Sequence, residues 1–319
     1  MQKYRSYVLP VAILLGFLFH GFSARIAFLV PWFLFAILLL NFVTVDLRRL
    51  RFSMLHFWLM LFQLVVSAGL YLSVRALSHN ETLAQGFMMC ALCPVASSVV
   101  VISSMLGADR MTTTAYTMLC NLVISVAAPL AFTVIGVHPE LTFWQSFLMI
   151  LRRITPTLAL PFFTALALQL WAPKANDWLC RYKNVSFYLW AIALFMTLGR
   201  TIDYIFLQGR GNERVIVLGA IFSAVMCAVQ FGFGKWLGHR YGDTVAGGQL
   251  LGQKNTSFTI YLAITFASPV AALGPLFYIL WHNSWNAIQM FQFEKRRQRK
   301  AARFISSPHP GAGAEHITS

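Results

Sequence analysis

Charged residues are scarce in this chain, and acidic residues are the scarcest. Of the 319 residues, 11% are charged and 58% are hydrophobic, whereas soluble domains are about 25% charged and roughly 45–50% apolar. The 10 Asp and Glu residues stand against 25 Lys and Arg residues. This composition excludes an ordinary soluble fold and predicts an all-α membrane protein, because barrel strands would alternate polar and apolar residues instead of forming long apolar runs.

Cysteine clusters and catalytic motifs are also lacking. The five cysteines lie in or beside apolar runs, so neither a disulfide framework nor a metal site is indicated. The sequence contains no phosphate-binding glycine loop, no H-E-x-x-H pair and no nucleophile elbow. An ATP-driven pump or a hydrolase would need such motifs, so we expect a protein that is not an enzyme and has no cofactor.

The apolar residues fall into ten runs, each long enough to cross a bilayer. The runs lie near residues 7–22, 26–44, 54–74, 84–106, 111–136, 154–172, 184–206, 215–237, 245–267 and 270–293. An even number of spans puts both termini on one side, and most basic residues between the runs fall on that side, which the positive-inside rule makes cytoplasmic. The sequence thus predicts a multi-pass protein of the cytoplasmic (inner) membrane, with both termini cytoplasmic and the lipid bilayer as its partner. The net charge of +15 then belongs to loops and termini, and no nucleic acid is expected as a partner.

Ten spans divide into two sets of five, and an odd number of spans per set inverts the second set relative to the first. We therefore predict a first five-helix repeat over residues 1–153 and a second over residues 154–293. Matching polar residues support the division, since Gln63 in span 3 corresponds to Gln230 in span 8. Residues 294–319 begin with Glu-Lys-Arg-Arg-Gln-Arg-Lys and are predicted to form a basic disordered cytoplasmic tail against anionic lipid headgroups.

Polar residues interrupt two of the runs near mid-membrane. Span 4 contains Cys-Pro-Val-Ala-Ser-Ser at 93–98, and span 9 contains Gly-Gln-Lys-Asn-Thr-Ser at 252–257. Proline and glycine weaken a helix, and backbone groups freed at this depth are tolerated only inside protein or along a wet cavity. The two interruptions favour discontinuous helices whose ends build a binding site, as in many secondary transporters. The alternative is a pair of kinked structural helices, stabilised by hydroxyl groups that bond to their own backbone.

Lys254 is the charge that lies deepest in the predicted membrane region. It is about ten residues, or ~15 Å, from either surface, which is farther than a lysine side chain reaches. Charged groups at this depth are costly and are usually functional. Three roles are open for Lys254 at this point. It binds an anionic group of a substrate, it carries a proton, or it is a structural residue capped by neighbouring carbonyls. Every Asp and Glu falls in a loop, in the tail or in the last turn of a span, so no carboxylate is expected in the membrane interior.

Five short motifs are distributed over nearly the whole chain. They are Cys93-Pro94 with hydroxyl residues after it, Gly107-Ala108-Asp109, Gly252-Gln253-Lys254-Asn255-Thr256-Ser257, Ser268-Pro269 and Trp281-His282-Asn283. Together they resemble the bile acid:sodium symporter family. The resemblance implies ten transmembrane helices as two inverted five-helix repeats, with crossed, discontinuous helices 4 and 9. It also implies sodium-coupled uptake of organic anions such as bile acids, pantoate or keto acids.

The sodium ligands of that family are only partly present in this chain. The remnants that the resemblance implies are Gln63, Thr113, Thr117, Gln253 and Lys254. The family's Ser-Asn pair in span 4 falls on Val99 and Val100, and its shared glutamate in span 9 falls on Leu250. An ammonium within a few Å of a sodium ion would cost on the order of several kcal/mol in a low dielectric. We therefore do not expect sodium coupling of the family's type, and we expect Lys254 to supply the positive charge that sodium supplies in relatives.

These observations together predict a secondary active transporter of a small or amphipathic organic anion, which works by alternating access around spans 4 and 9. Two alternatives remain open, namely a sodium-coupled organic anion symporter and a non-transporting ligand sensor on the same fold. The predicted substrate-binding residues are Ser97, Ser98, Asn121, Lys254, Asn255, Thr256 and Asn283.

Overall fold

The structure is a computed structural model that describes residues 10–12, 14–135, 140–208, 213–267 and 270–306. Three features of the sequence lie outside the described residues. They are the beginning of the first predicted span, the Ser268-Pro269 motif and the tail beyond residue 306.

The secondary structure of the described residues is helical, apart from one isolated antiparallel bridge between Val95 and Lys254. The helices, numbered α1 to α14 in chain order, are His20–Ile26, Val30–Phe42, Met54–Ser78, Glu81–Leu92, Val99–Met105, Arg110–Val134, Phe143–Leu158, Leu160–Trp171, Pro173–Cys180, Val185–Gln208, Glu213–Arg240, Thr244–Gly252, Thr256–Phe266 and Leu273–Ser306. Short 3-10 turns lie at Ala27–Leu29 and Leu47–Arg49. The predicted all-α fold is therefore confirmed for this part of the chain.

Among the described residues, four helical segments are long and apolar enough to cross a membrane. They are His20–Phe42, Met54–Ser78, Arg110–Val134 and Ile216–Arg240, and the pair α7 and α8, bent by 50°, would make a fifth. Helix length and apolarity therefore do not confirm ten spans, because several predicted spans consist of short helices in the structure. Span 4 consists of α4 with 12 residues and α5 with 7, and span 9 of α12 with 9 and α13 with 11. The ten-helix inverted repeat thus stays a prediction.

The first two spans are not separated where the sequence predicted a break. Residues 23–25, between the predicted spans 7–22 and 26–44, are part of α1. Ser23 is buried, and its hydroxyl occupies the place that a Cβ would take at Gly199 of α10. This close packing keeps the segment helical, and the helix changes to a 3-10 turn only at Ala27.

The helix of the sixth span begins before residue 154. Thr142 and Gln145 form a capping box that starts α7 at Phe143, and this box is recognisable in the sequence Thr-Phe-Trp-Gln. Residue 153 therefore lies within a helix. The bend between α7 and α8 adjoins Pro161, which has no N–H to bond to the preceding turn.

The basic tail differs from the prediction over its first part. Residues 294–306 were expected to be disordered, but α14 continues through them to Ser306 and is 34 residues long. Glu, Lys, Arg, Gln and Ala, all good helix formers, dominate this stretch, and no Gly or Pro occurs in it. Local helix propensity therefore extends the last span beyond its apolar part.

Glycines bring α11 and α12 into backbone contact. A Cβ at Gly234 would lie 2.3 Å from the carbonyl oxygen of Gly247, and a Cβ at Gly247 would lie 2.6 Å from the Cα of Gly238. Small residues are typical of such contacts in membranes, where van der Waals packing drives helix association. The contact holds α12, and with it the polar segment that follows, against α11.

Two aspartates join the beginnings of α6 and α12. The carboxylate of Asp109 accepts a bond from the N–H of Thr112 at 2.7 Å, and the N–H of Asp109 donates to the carboxylate of Asp243 at 3.0 Å. Asp243 also caps α12 by accepting from the N–H of Ala246 at 2.8 Å. Burial opposes the ionisation of Asp109, but the bonds from Thr112 and Met111 outweigh it and hold the pKa of Asp109 below its ordinary value.

We predict that Gly234→Ala lowers the free energy of unfolding by about 1–3 kcal/mol, because the added methyl group meets the backbone of Gly247. Gly232→Ala is the matched control, since it lies on the same helix and has nothing within 4 Å of the added carbon. Alanine also has the higher helix propensity at that position. Thermal unfolding of both variants in nanodiscs checks this, and equal melting temperatures would contradict the close packing.

Candidate functional site

Both predicted interruptions are present in the structure. α4 ends at Leu92 and α5 begins at Val99, while α12 ends at Gly252 and α13 begins at Thr256. In the first break, Pro94 has no N–H with which to continue α4. In the second, the side chain of Asn255 caps α13 by accepting a bond from the first turn of that helix at 3.3 Å, so the chain leaves one helix and begins the next within three residues.

The two interrupted segments cross and bond to each other. The N–H of Ala96 donates to the carbonyl of Gln253 at 3.0 Å, and the N–H of Asn255 donates to the carbonyl of Pro94 at 2.7 Å. These bonds lie on either side of the bridge between Val95 and Lys254. Each segment thus satisfies backbone groups that the other break has freed, as burial requires.

Side chains of neighbouring helices bond to the carbonyls at the helix ends. The amide of Gln63 on α3 donates to the carbonyls of Leu92 at 3.1 Å and Cys93 at 3.0 Å. Gln230 on α11 donates to a carbonyl in the last turn of α4 at 3.3 Å, and the hydroxyl of Tyr278 donates to the last carbonyl of α12 at 2.9 Å. The broken helices are therefore supported by helices on several sides.

The ammonium of Lys254 is buried at this crossing without a partner. The residue is 1% exposed, and its Nζ has no hydrogen bond. Within the described ranges, no Asp or Glu side chain is buried. A buried ammonium with no compensating charge is unfavourable, and an anion at this position would complete its interactions.

Lys254 lines a small space beside the crossing, the central chamber, of about 40 Å³. Its size suits a few water molecules or one carboxylate group. The amide nitrogen of Asn255 is buried there without a partner as well. The polar residues that line the chamber are Ser97, Ser98, Lys254, Asn255, Thr256, Ser257 and His282. The chamber therefore brings together five of the predicted substrate-binding residues and adds Ser257 and His282.

His282 is a chamber residue whose role the sequence did not indicate. Its Nδ1 accepts the backbone N–H of Lys254 at 3.3 Å, so in the neutral ring the proton is on Nε2. His282 therefore has an N–H donor on Nε2 that this bond does not use. The two residues are 28 positions apart, and no local sequence pattern connects them.

The other predicted residues lie outside the lining of the central chamber. The amide of Asn283 donates to a carbonyl of its own helix at 2.7 Å. Thr113 and Thr117 also bond to carbonyls of their own helix. Asn121 is buried with both polar side-chain atoms unpaired, and so is the amide oxygen of Gln253.

Two larger spaces lie beside the central chamber along α10. Phe187 lines the first, Trp190 and Leu194 line the chamber, and Thr197 and Arg200 line the last. Residues spaced by three or four positions share one face of a helix. The three spaces therefore follow one face of α10 in this order.

The two outer spaces differ in chemistry. The first, called the basic cavity, has about 400 Å³ and is lined by Arg110, Lys183 and Arg297 among others. The last, called the apolar cavity, has about 290 Å³ and contains Arg200 in a largely apolar wall. Where the chain is described, no Asp or Glu lines any of the three spaces. The whole row thus presents positive side chains and no negative ones.

One hydrogen bond lies where the linings of the central chamber and the apolar cavity meet. The hydroxyl of Ser257 on α13 donates to the hydroxyl of Thr197 on α10 at 2.7 Å. Ser257 and Leu34 line both spaces. The bond thus links α10 and α13 at the boundary between the two spaces.

Comparison with known proteins identifies the family. No curated protein matched the chain. The family model described as the SBF-like CPA transporter family matches residues 6–289. This range contains both interruptions and Lys254. The match confirms the resemblance to bile acid:sodium symporters and makes the protein a membrane transporter by family. The chain therefore belongs to the SBF-like CPA transporter family.

Proposed function

We propose that this protein is a secondary active transporter of an organic anion, whose acidic group binds Lys254 in the central chamber. The observation that carries the proposal is the buried ammonium of Lys254, which has no partner. Charged groups inside membrane proteins are usually functional. The family match supports transport in general, and the charge of the chamber supports an anion as the transported species.

The donors around Lys254 also favour an anion. The amide nitrogen of Asn255 is buried without an acceptor. The Nδ1 of His282 accepts from the backbone N–H of Lys254, so its donor is the N–H at Nε2 on the other side of the ring. Hydroxyl groups of Ser97, Ser98 and Thr256 complete the lining. A carboxylate has two oxygens that accept several hydrogen bonds, so it can satisfy the ammonium and the amide together.

The remnants of the sodium sites support transport without sodium. The carbonyls of Leu92 and Cys93, at the end of a broken helix, are the type of group that binds cations in transporters. Both already accept bonds from the amide of Gln63. The hydroxyl of Thr117 is likewise bonded to its own helix. Lys254 then supplies the positive charge that sodium supplies in relatives.

The row of spaces along α10 supports alternating access. The bond between Ser257 and Thr197 closes the chamber toward the apolar cavity, and a relative movement of α13 and α10 would open it. We place this movement in a fold of two inverted five-helix repeats over residues 1–153 and 154–293, in the inner membrane with cytoplasmic termini. The occurrence of one broken helix in each half supports this arrangement.

We predict that Lys254→Gln lowers the affinity for the transported anion by roughly thirtyfold, or about 2 kcal/mol, because one charge-assisted contact is lost. The measurement is thermal stabilisation by a panel of carboxylates, namely a short keto acid, pantoate and a bile acid. Without added anion, Lys254→Gln should unfold at the same temperature as the unsubstituted protein or at a higher one, since an uncompensated buried charge is removed. Lys174→Gln, an exposed lysine on α9, is the control. Unchanged anion stabilisation in Lys254→Gln would overturn the proposal.

We also predict that replacement of sodium by choline leaves both anion stabilisation and uptake into proteoliposomes unchanged. Lys254 provides a positive charge in either buffer, so no free cation is needed. Stabilisation that requires sodium would instead favour a sodium-coupled symporter. Binding without uptake in both buffers would favour a ligand sensor.

We further predict that a disulfide between Thr197→Cys and Ser257→Cys blocks transport without abolishing anion binding. The two hydroxyl oxygens are 2.7 Å apart, a separation compatible with the Cβ spacing of about 3.5–4.5 Å that disulfides require. Uptake is compared before and after reduction, with each single cysteine variant as control. Full uptake by the oxidised double variant would show that this contact need not open.

A further inference from the structure

A surface groove between α3 and α11, the aromatic groove, is separate from the site at Lys254. It has a volume of about 500 Å³ and shares no lining residue with the central chamber. Its lining includes Trp58, Phe62, Val65, Phe233, Trp236 and Arg240. We propose that this groove binds one phospholipid with an anionic headgroup, whose acyl chain lies in the groove and whose phosphate contacts Arg240.

The floor of the aromatic groove is apolar and joins the two helices. The rings of Phe62 on α3 and Phe233 on α11 are stacked, with their centroids 4.1 Å apart and their planes at 15°. On either side, Leu61, Val65 and Trp236 line the groove and are exposed. Both helices are long and apolar enough to cross a membrane. The groove therefore offers an acyl chain a continuous apolar surface for van der Waals contact.

The depth of the aromatic groove matches one leaflet of the bilayer. Val65 lies about 16 Å along α3 from its first residue, and Phe233 lies about 10 Å along α11 from its last residue, Arg240. Half of the hydrocarbon core of a bilayer is about 15 Å thick. The groove thus extends from the helix ends, at the membrane surface, to a depth near the middle of the bilayer, as an acyl chain of one leaflet does.

The polar end of the groove has the chemistry of a headgroup site. Arg240 is exposed, and its guanidinium carbon lies 4.3 Å from the centroid of the Trp236 ring. A guanidinium stacked on a ring keeps the N–H donors at its edge for a phosphate. Trp58 and Tyr241 line the same groove, and Trp and Tyr side chains favour the headgroup level. Where the chain is described, no Asp or Glu lines the groove, so Arg240 favours an anionic headgroup.

The position of Arg240 favours a lipid over a second copy of the chain. Twofold packing uses the same surface of both copies. Two aromatic grooves that faced each other in one membrane would place both Arg240 side chains at the same end of the interface, where like charges repel. In the predicted topology this end of α11 is cytoplasmic, on the side where anionic lipids attract basic residues.

The test measures lipid binding to the full chain in detergent by native mass spectrometry. Phosphatidylglycerol and phosphatidylcholine with the same acyl chains are titrated separately. We expect the first phosphatidylglycerol to bind about tenfold more tightly than the first phosphatidylcholine, because only its headgroup has a net negative charge to pair with Arg240. Arg240→Gln should remove this preference, and Val65→Trp, which fills the groove, should weaken the binding of both lipids.

Matched variants separate the groove from general effects of charge and bulk. Arg153→Gln removes an exposed arginine on α7, and Val225→Trp adds bulk on α11, where Val225 is 54% exposed compared with 59% for Val65. Neither residue lines the groove, so both variants should bind the two lipids as the unsubstituted protein does.

Three results would overturn the proposal. The first is equal binding of the two lipids by the unsubstituted protein. The second is a preference for phosphatidylglycerol that Arg240→Gln leaves intact. The third is a dimer that Val65→Trp dissociates, because the groove would then be covered by a second copy.

Discussion

The structure depends on one constraint, namely that backbone groups freed inside a membrane protein must find partners within the protein. Two helices are interrupted at the same place in the structure. Both interruptions satisfy this constraint because the two segments form hydrogen bonds with each other. Ala96 and Asn255 exchange backbone bonds with the opposite segment, and Gln63 and Gln230 support the end of α4. Polar residues that looked isolated in the sequence thus belong to one bonded centre. The same constraint explains why the amides of these glutamines face carbonyls rather than a cavity.

The charge of Lys254 gives this centre its proposed chemistry. The helix breaks by themselves would present both carbonyls and N–H groups to a ligand. In this chain neighbouring donors bond to carbonyls at the ends of α4 and α12, while the ammonium of Lys254 and the amide nitrogen of Asn255 keep unused donors. The groups that remain available to a ligand are therefore a positive charge and hydrogen-bond donors. This balance is the physical basis for an anion site that does not need a bound cation.

Asn41 on α2 and Thr44, two residues beyond the end of that helix, connect this centre to Arg110 in the wall of the basic cavity. The amide of Asn41 donates to the carbonyl of Ser97 in the first interruption at 2.8 Å. The carbonyl of Asn41 accepts from Thr44, and the hydroxyl of Thr44 accepts from Arg110. The end of α2 and the turn that follows it therefore contact both the lining of the central chamber and Arg110 of the basic cavity.

The sequence by itself determined the class of protein, the two interruptions and the burial of Lys254. Long apolar runs, a proline and a deep lysine are local features, and their consequences follow from the cost of polar groups in a membrane. The predicted sixth span began only at residue 154, whereas its helix begins at Phe143 after a capping box at Thr142. Its prediction of a disordered tail from residue 294 was wrong up to residue 306, because helix propensity continued where hydrophobicity ended.

Only the tertiary structure decided which polar residues share a site. Ser97, Lys254 and His282 come from three separate parts of the chain and meet in one chamber, while Asn283, next to His282, bonds to its own helix. The bond between Ser257 and Thr197 and the bond between Arg110 and Thr44 are likewise contacts between distant segments. A sequence shows which residues are costly to bury, but the packing of helices determines which of them find partners and which remain available to a ligand.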